Sequence, residues 1–354
     1  MVSLFGNKSS GWIGIDIGSS SVKLVSMCIS GNRPQIDAYA IVSLPDNAVV
    51  DGSIEEVSSV ASSIERGLKI CGGKFKSAVV AVPSSAVITK KIQVSNLFQG
   101  IELEDQIKIE ADQFIPYPLD EVALDFEVLG PANKDPNMNE ILLVACRKDA
   151  SESREDAVNA SGIKCEVVDV DTYAMERVVP LLDQAPTGYM IAVVDVGAST
   201  LCLNVFENGA VVYNREQAFA GNELSQSITQ QYGMLLEDVV ATLHENKVSQ
   251  EIQKSMIEPF TNSVVQQVSR ALQFFYSSGL HGQLSKVYIC GGVSALPNLT
   301  SRLKDDLDLD AELLNPFEHC SINRNINTDR LKLDSALLVK ACGLALRSIV
   351  DRTQ

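Results

Sequence analysis

The sequence has little histidine, tryptophan or other aromatic content, and its cysteines follow no regular pattern. It contains 3 His and 1 Trp, and aromatic residues make up 6% of the 354 residues. No His stands at a metal-ligand spacing from another His or a Cys, which argues against a zinc site. The 8 Cys include no Cys-x-x-Cys pair, and several lie in apolar runs, where Cys acts as a small hydrophobe. This usage favours a reducing cytosol over a disulfide-stabilised secreted protein.

Long apolar runs and clusters of positive charge are also missing. No stretch reaches the about 18 apolar residues that a membrane-spanning helix needs, and residues 1–10 lack the apolar segment of a signal peptide. The formal net charge is −16, and no run of Lys or Arg offsets it. A nucleic-acid backbone or an anionic lipid surface would therefore be repelled. We expect a cytoplasmic protein that binds no nucleic acid, does not insert into the membrane and reaches it only through a protein partner.

A short motif occurs twice in the chain. Residues 14–21 read GIDIGSSS, and residues 193–200 read VVDVGAST. In each copy an apolar strand leads to an aspartate, and glycine with small hydroxyl residues then starts a turn into another apolar strand. Glycine lets backbone N–H groups approach a phosphate, and the hydroxyls add donors without bulk. Because a carboxylate repels phosphate, Asp16 and Asp195 are predicted to hold Mg²⁺ through water. The pair predicts a magnesium–nucleotide site between two related domains.

The predicted phosphate contacts are spread over both loops. They are Gly14, Asp16, Gly18, Ser19, Ser20, Ser21 and Lys23 around the first loop, and Asp195, Gly197, Ala198, Ser199 and Thr200 around the second. For the serines, ordinary turn chemistry is an equal alternative. Lys23 lies on the strand after the loop, where alternation can also point it to solvent.

A third loop follows late in the chain, where residues 286–293 read KVYICGGV. The pattern predicts a strand, a double-glycine turn and the start of a helix. Such a turn offers a flat backbone surface that suits an adenosine or a phosphate. Gly291, Gly292 and Val293 are therefore predicted to form the floor of the adenosine pocket.

The order of these three loops resembles the ATPase superfamily of actin, heat-shock proteins and sugar kinases. The resemblance implies an α/β, actin-like (ribonuclease H-like) fold with two domains, and ATP or ADP with Mg²⁺ between them. It also implies that Gly221 and Glu223 contact the nucleotide and that Asp171 orients the hydrolytic water. Asp171 is shorter than the Glu of those relatives, which is consistent with slow ATP hydrolysis or none, and a helix cap is an equal alternative for it. The adenine-side Glu-x-x-Lys spacing of many relatives is not matched around Lys247.

Residues 110–130, 264–275 and 341–347 narrow the resemblance. They are similar to the PilM family, cytoplasmic actin-like components of type IV pilus assembly, and the similarity extends along nearly the whole chain. It implies an adaptor that binds ATP and holds the N-terminal cytoplasmic tail of the inner-membrane protein PilN in pilus biogenesis and twitching motility. Other pilus assembly components and self-association are further implied contacts. Residues 115–118 (IPYP) are a candidate rim of the peptide groove, and a rigid connector is the alternative.

The resemblance also implies domain boundaries. Residues 79–168 are expected to form an inserted α+β subdomain of the type found in PilM and in FtsA, the bacterial division actin. The remaining units are expected at 1–78 with 169–186 and 340–354 (the first domain), at 187–222 with 283–339 (the second domain), and at 223–282 (the cap of the second domain).

Two other functions stay open at this point. One is a small-molecule kinase of the same superfamily, although no Asn/Asp/Trp cluster near the Asp16 loop indicates a sugar site. The other is a filament-forming actin like FtsA.

Overall fold

The computed structural model describes residues 12–31, 33–72, 75–133, 135–182, 186, 188–219, 221–245, 247–280 and 282–350. Residues 1–11, 187 and 351–354, which the expected boundaries include, lie outside the described residues.

The described residues form a mixed α/β structure in which groups of consecutive strands are followed by helices. The strands are β1 (Ile13–Ile17), β2 (Ser21–Ser30), β3 (Arg33–Ser43), β4 (Val49–Val50), β5 (Ser53–Ile54), β6 (Ser77–Val82), β7 (Val87–Ser95), β8 (Val122–Ala132), β9 (Asp135–Arg147), β10 (Lys164–Val170), β11 (Tyr189–Val196), β12 (Thr200–Glu207), β13 (Ala210–Ala218), β14 (Gln283–Cys290), β15 (Asp310–Leu313) and β16 (Ser321–Ile322). The α-helices are α1 (Val57–Cys71), α2 (Ile101–Ala111), α3 (Lys148–Ala160), α4 (Asp171–Val178), α5 (Glu223–Tyr232), α6 (Leu236–His244), α7 (Gln250–Ile252), α8 (Glu258–Ser277), α9 (Leu299–Leu307), α10 (Thr328–Asp334) and α11 (Val339–Val350).

Two sheets with the same internal order form the body of the molecule. Among the described residues, one sheet has the order β10-β6-β1-β2-β3-β16 and the other the order β13-β12-β11-β14-β15. In each sheet, a central strand that carries the repeated motif pairs antiparallel with the next strand and parallel with a later one. The repeated motif therefore marks a repeated βββ unit, as the sequence indicates.

Three apolar cores give these sheets a layered arrangement. Helices α1 and α3 pack on one face of the first sheet, and α8 and α9 pack on the second sheet. Between the two sheets lies a shared core that takes side chains from both sheets and from α4 and α11. Apolar burial at about 25 cal/mol per Å² makes such a core the main stabilising contact between the halves. Helices α4 and α11 are thus held between the two domains.

The inserted subdomain is smaller than expected. Its own core joins the three-stranded sheet β7-β9-β8 to helix α2. Strands β6 and β10 are instead neighbours in the first sheet, and α3 packs into the core of the first domain. The expected range of 79–168 is therefore too wide, because the strands at both of its ends belong to the first sheet, where β6 pairs in parallel with β1 and β10 pairs in parallel with β6. We call residues 84–147 the insertion.

The boundary of the second domain also differs from the expected 283–339. Strand β16 pairs in parallel with β3 at the edge of the first sheet, with Ser321 opposite Gln35 and Ile322 opposite Ile36. Phe317 and Leu331 lie in the shared core. The segment after β15 therefore crosses from the second sheet to the first before α11 begins.

Candidate nucleotide-binding site

The two repeated loops face each other. Each begins with the same tight turn: Gly18 N donates to Ser21 O at 3.1 Å in the first loop, and Gly197 N donates to Thr200 O at 2.8 Å in the second. Across the gap, the hydroxyl oxygens of Ser19 and Ser199 are 2.6 Å apart. The predicted pairing of the two loops around one site therefore has a direct geometric counterpart, although the two residues are 180 positions apart.

In the first loop, Asp16 and Lys23 form a pair. They are opposite each other on β1 and β2, and Lys23 Nζ lies 3.3 Å from Asp16 Oδ2. The Lys23 side chain is 14% exposed, so it points into the site rather than to solvent. A side chain on Gly18 would stand 2.8 Å from Lys23 Nζ, so the glycine leaves room for this ammonium group.

The second aspartate and Asp171 share one lysine that the sequence reasoning missed. Lys340 Nζ lies 2.7 Å from Asp195 Oδ2 and 3.4 Å from Asp171 Oδ2. Asp171 is the first residue of α4 and stands one position after the N-cap residue, Val170. Its Oδ1 instead accepts from Ser84 N at 2.9 Å, at the start of the insertion. The helix-cap alternative for Asp171 is therefore wrong.

The electrostatics of the site centre on Lys340. Burial by itself would lower the pKa of this lysine, but the carboxylates of Asp195, Asp171 and Asp16 outweigh burial and raise the pKa well above its ordinary value. The pKa of Glu216 is raised, first by burial and then by the nearby carboxylates of Asp171 and Asp195, while a hydrogen bond from Ser85 opposes the shift. The site thus holds a permanent cation among several acidic groups.

Gly291 of the third loop and Gly221, just before α5, both pack against the second repeated loop. A side chain on Gly291, whose φ is +90°, would stand 2.2 Å from Asp195 Oδ1, and one on Gly221 would stand 1.9 Å from Gly197 O. Val293 N donates to Val196 O at 3.1 Å. By contrast, a side chain on Gly292 would meet nothing within 4 Å. Gly292 therefore offers bare backbone to open space, as the predicted adenosine floor requires.

Gly14 has a different role from the one its position in the motif predicts. A side chain there would stand 2.2 Å from Ala341 O and 2.4 Å from Ala345 N, both on α11. This glycine therefore permits close packing of the closing helix on β1. The close packing of α11 is sufficient to require a glycine at position 14, so Gly14 is not among the proposed phosphate contacts.

The remaining candidates lie around the rim. Ser20 is exposed, and its carbonyl accepts from Leu44 N at 3.0 Å. Ala198 O accepts from Asn222 N at 2.9 Å, which ties the loop to the start of α5. Glu223 is exposed as the first residue of that helix. Lys247 forms a surface ion pair with Glu245 at 2.7 Å. Among the rim candidates, Ser21 and Thr200 supply the carbonyls that close the two turns.

The two aspartates fit a magnesium ion that arrives with the nucleotide. Within the described residues, no three His, Cys, Asp or Glu side chains are placed so that they could hold a metal ion by themselves. Mg²⁺ is commonly held by one or two carboxylates together with substrate phosphates and water. Asp16 and Asp195 match that donor set, whereas a metal site formed by the protein alone has no basis here.

A buried arginine links the two chain segments that flank the insertion. Arg154 on α3 is 2% exposed and donates to the carbonyls of Ala81 at 2.8 Å, Gly52 at 2.5 Å and Ala150 at 2.9 Å. Burial lowers its pKa, and the carboxylates of Asp171 and Asp16 oppose that shift. Sequence reasoning missed it because nothing in the stretch around residue 154 distinguishes it from an ordinary surface arginine.

Comparison with known proteins agrees with this architecture. The chain is 19% identical to the cell division protein FtsA of Bacillus subtilis over 88% of this chain and 80% of that protein. It is 21% identical to FtsA of Pseudomonas aeruginosa over 61% of this chain, and the match spans 56% of that protein's length. Among solved structures, the ethanolamine utilization protein EutJ of Carboxydothermus hydrogenoformans superposes with a TM-score of 0.55 at 16% identity, covering 95% of this chain and 89% of EutJ.

The two repeated sheets define an α/β protein with an actin-like ATPase fold, as the sequence predicts. Within that class, the chain belongs to the family of the type IV pilus assembly protein PilM, whose model matches residues 14–349. A solved PilM–PilN type IV pilus biogenesis complex superposes with a TM-score of 0.77 at 26% identity, covering 96% of this chain and 98% of the matched chain. In the described part of the chain, no helix is long and apolar enough to cross a membrane.

Proposed function

We propose that this protein is a nucleotide-binding adaptor of type IV pilus assembly that holds the cytoplasmic tail of a PilN-type inner-membrane protein. Membership of the PilM family supports the pilus role, and the similarity to a chain of the PilM–PilN complex supports the choice of partner. ATP or ADP with Mg²⁺ would lie between the two phosphate loops and over the Gly291–Gly292 turn. The protein itself would be cytoplasmic and would reach the inner membrane through its partner.

The contact of the insertion with the site carries the proposal. Ser84 N donates to Asp171 Oδ1 at 2.9 Å, and Ser85 hydrogen-bonds to Glu216. Both serines begin the insertion, whereas Asp171 and Glu216 line the nucleotide site. A nucleotide that moves these acids also moves the start of the insertion, so that nucleotide and peptide affinities are coupled.

The insertion has the features of a peptide-binding surface. Its outer strands β7 and β8 each lack a second partner among the described strands, and an extended peptide can add to such an edge. Apolar side chains on it are exposed, including Leu97, Ile101, Phe114 and Tyr117. In the candidate rim 115–118, Ile115 is buried whereas the Tyr117 ring is 41% exposed and lies under the Arg147 guanidinium. Pro116 and Pro118 are exposed as well, so a peptide can contact every member of this rim except Ile115, and Tyr117 offers it an aromatic ring.

Hydrolysis is expected to be slow. The carboxylate of Asp171 is bonded to Lys340 and to Ser84 N, so it is poorly placed to take a proton from water. Binding of other pilus components and self-association stay further proposals.

The test is a titration of a fluorescent peptide that copies the first residues of the PilN-type protein encoded by the same organism, with and without Mg-ATP. We expect binding that Mg-ATP strengthens and that Asp16→Ala and Asp195→Ala weaken, because both changes act at the nucleotide site. Asp305→Ala, at an exposed position on α9, is the matched control for loss of an aspartate. Nucleotide binding without any peptide binding would contradict the adaptor role and favour the kinase or filament alternatives.

A further inference from the structure

Three aspartates gather at the proposed nucleotide site, and each is paired with a lysine. Lys23 neutralises Asp16 from the neighbouring strand, and Lys340 bridges Asp195 and Asp171 from the closing helix. The side chain of Lys340 is 20% exposed, and those of its partners are 14% and 10% exposed. Ion pairs with so little solvent are screened much less than surface pairs. The acidic charge of the site is thus largely compensated by the protein itself.

The position of Lys340 is fixed by two close helix contacts. The absence of a side chain at Gly14 lets α11 approach β1, since a side chain there would stand 2.2 Å from Ala341 O. The same holds at Gly343, where a side chain would stand 1.8 Å from Ala174 O on α4. The residue next to Ala341 is Lys340, and α4 begins at Asp171. These two contacts therefore bring the lysine and its two acidic partners together.

This arrangement changes what a nucleotide meets. Without Lys340, the carboxylates of Asp195 and Asp171 would face the phosphates without a counter-charge, and each would raise the free energy of binding a polyanion. With Lys340 in place, the second phosphate loop presents a neutralised carboxylate pair to the incoming phosphates.

We propose that Lys340 is a built-in counter-cation of the nucleotide site, which allows ATP or ADP to bind without a divalent metal and exchanges its contact with Asp195 when Mg²⁺ enters. The inference rests on the proposed nucleotide binding. A bound Mg²⁺ would supply charge neutralisation at the phosphates, and the lysine performs that task in its absence.

The experiment compares the affinity for a fluorescent ADP analogue in EDTA and in Mg²⁺, for the wild type and for Lys340→Met. Methionine keeps a similar length without the charge. We expect wild-type affinities within about threefold of each other in the two buffers. The variant is expected to lose about tenfold or more in EDTA, the loss typical of one charged contact, and to recover in Mg²⁺. A purely structural loss would lower both affinities equally.

Lys286→Met is the matched control. Lys286 also bridges two acids, Asp310 at 3.6 Å and Glu312 at 3.2 Å, and its side chain is likewise 20% exposed, but it lies in the first half of β14, toward the end of the strand opposite to the Gly291–Gly292 turn. It is expected to leave both affinities unchanged. Lys340→Arg keeps the charge and is expected to retain binding in EDTA, and thermal unfolding of every variant shows that it is folded.

Two results would overturn the inference. If wild-type binding requires Mg²⁺ and Lys340→Met behaves like the wild type in both buffers, Lys340 has no such role while the nucleotide site stands. If the wild type binds nucleotide in neither buffer, the proposed function fails, and the counter-cation role fails with it.

Discussion

The glycines of the motifs differ in their surroundings, and substitution by alanine is expected to affect stability at one of them and nucleotide binding at the other. Gly14 and Gly292 both belong to the predicted nucleotide contacts, yet the structure gives them opposite surroundings. A side chain at Gly14 would overlap backbone atoms of α11, at 2.2 Å from Ala341 O and 2.4 Å from Ala345 N. One at Gly292 would meet nothing within 4 Å. We therefore predict that Gly14→Ala destabilises the protein, whereas Gly292→Ala spares its stability and weakens nucleotide binding.

The magnitude follows from the size of the overlap. Ordinary contact with a side-chain carbon begins near 3.4 Å, so α11 must move by about 1 Å to admit the new methyl group. The opposing atoms are backbone and cannot rotate away. Overpacking of this kind costs about 1–3 kcal/mol, and the rigid contact places Gly14→Ala near the upper end. At about 2–4 °C per kcal/mol, the expected fall in Tm is roughly 5–10 °C.

The assay is thermal unfolding of both variants beside titration with a fluorescent ATP analogue. Gly14→Ala is expected to unfold early, whereas Gly292→Ala is expected to unfold at the wild-type temperature and to bind the analogue more weakly. An unchanged Tm for Gly14→Ala would refute the assignment of this glycine to helix packing. A lowered Tm for Gly292→Ala would refute the open surroundings of the third loop.

Three further predictions concern buried polar groups. Asp334 accepts hydrogen bonds from Tyr39 and Arg330 and contacts His244. Burial alone would raise the pKa of Asp334, but these contacts together outweigh burial and lower the pKa. Asp334→Asn should therefore cost about 2–3 kcal/mol of stability at pH 7, and the wild type alone should lose this stability as the pH falls below about 4. Burial raises the pKa of Glu216, so the ionised form costs stability as the pH rises, and Glu216→Gln should raise Tm at pH 7–8 but not near pH 4. Arg154→Met leaves three backbone carbonyls without their hydrogen-bond donor, so it should lower both the Tm and the peptide affinity. An unaltered peptide affinity would show that this arginine has no part in the adaptor role.

Local patterns were enough to predict that the two repeated segments form similar turns after a strand. The apolar strand, the aspartate and the glycine turn are contiguous, so their geometry depends on few distant residues, and the structure gives both loops the same turn. Repetition added the information that one copy lacks, because two similar loops imply two similar sheets. The contact between Ser19 and Ser199 follows from that symmetry.

The boundaries of the insertion were harder to predict, because strand pairing is non-local. Strands β6 and β10 both read as apolar runs, and nothing in either run says that they lie side by side in the first sheet. The packing of Gly14 against α11 was not predicted for the same reason, because its partner Ala341 lies near the far end of the chain. A glycine beside a phosphate motif is naturally assigned to the phosphate when the helix that packs on it is not yet placed.

Lys340 shows where sequence reasoning stops and what tertiary packing adds. In the sequence it is one lysine at the start of an apolar helix, a position that usually points to solvent. In the fold that helix lies between the two sheets, and it contributes Ala341 and Leu346 to the shared core. A charge carried into this core needs partners, since an unpaired buried ammonium costs several kcal/mol. The two aspartates supply them, one from α4 and one from the second sheet. Through Lys340, helix α11 therefore contacts both domains, and any ligand that separates Asp195 from Asp171 must also act on α11.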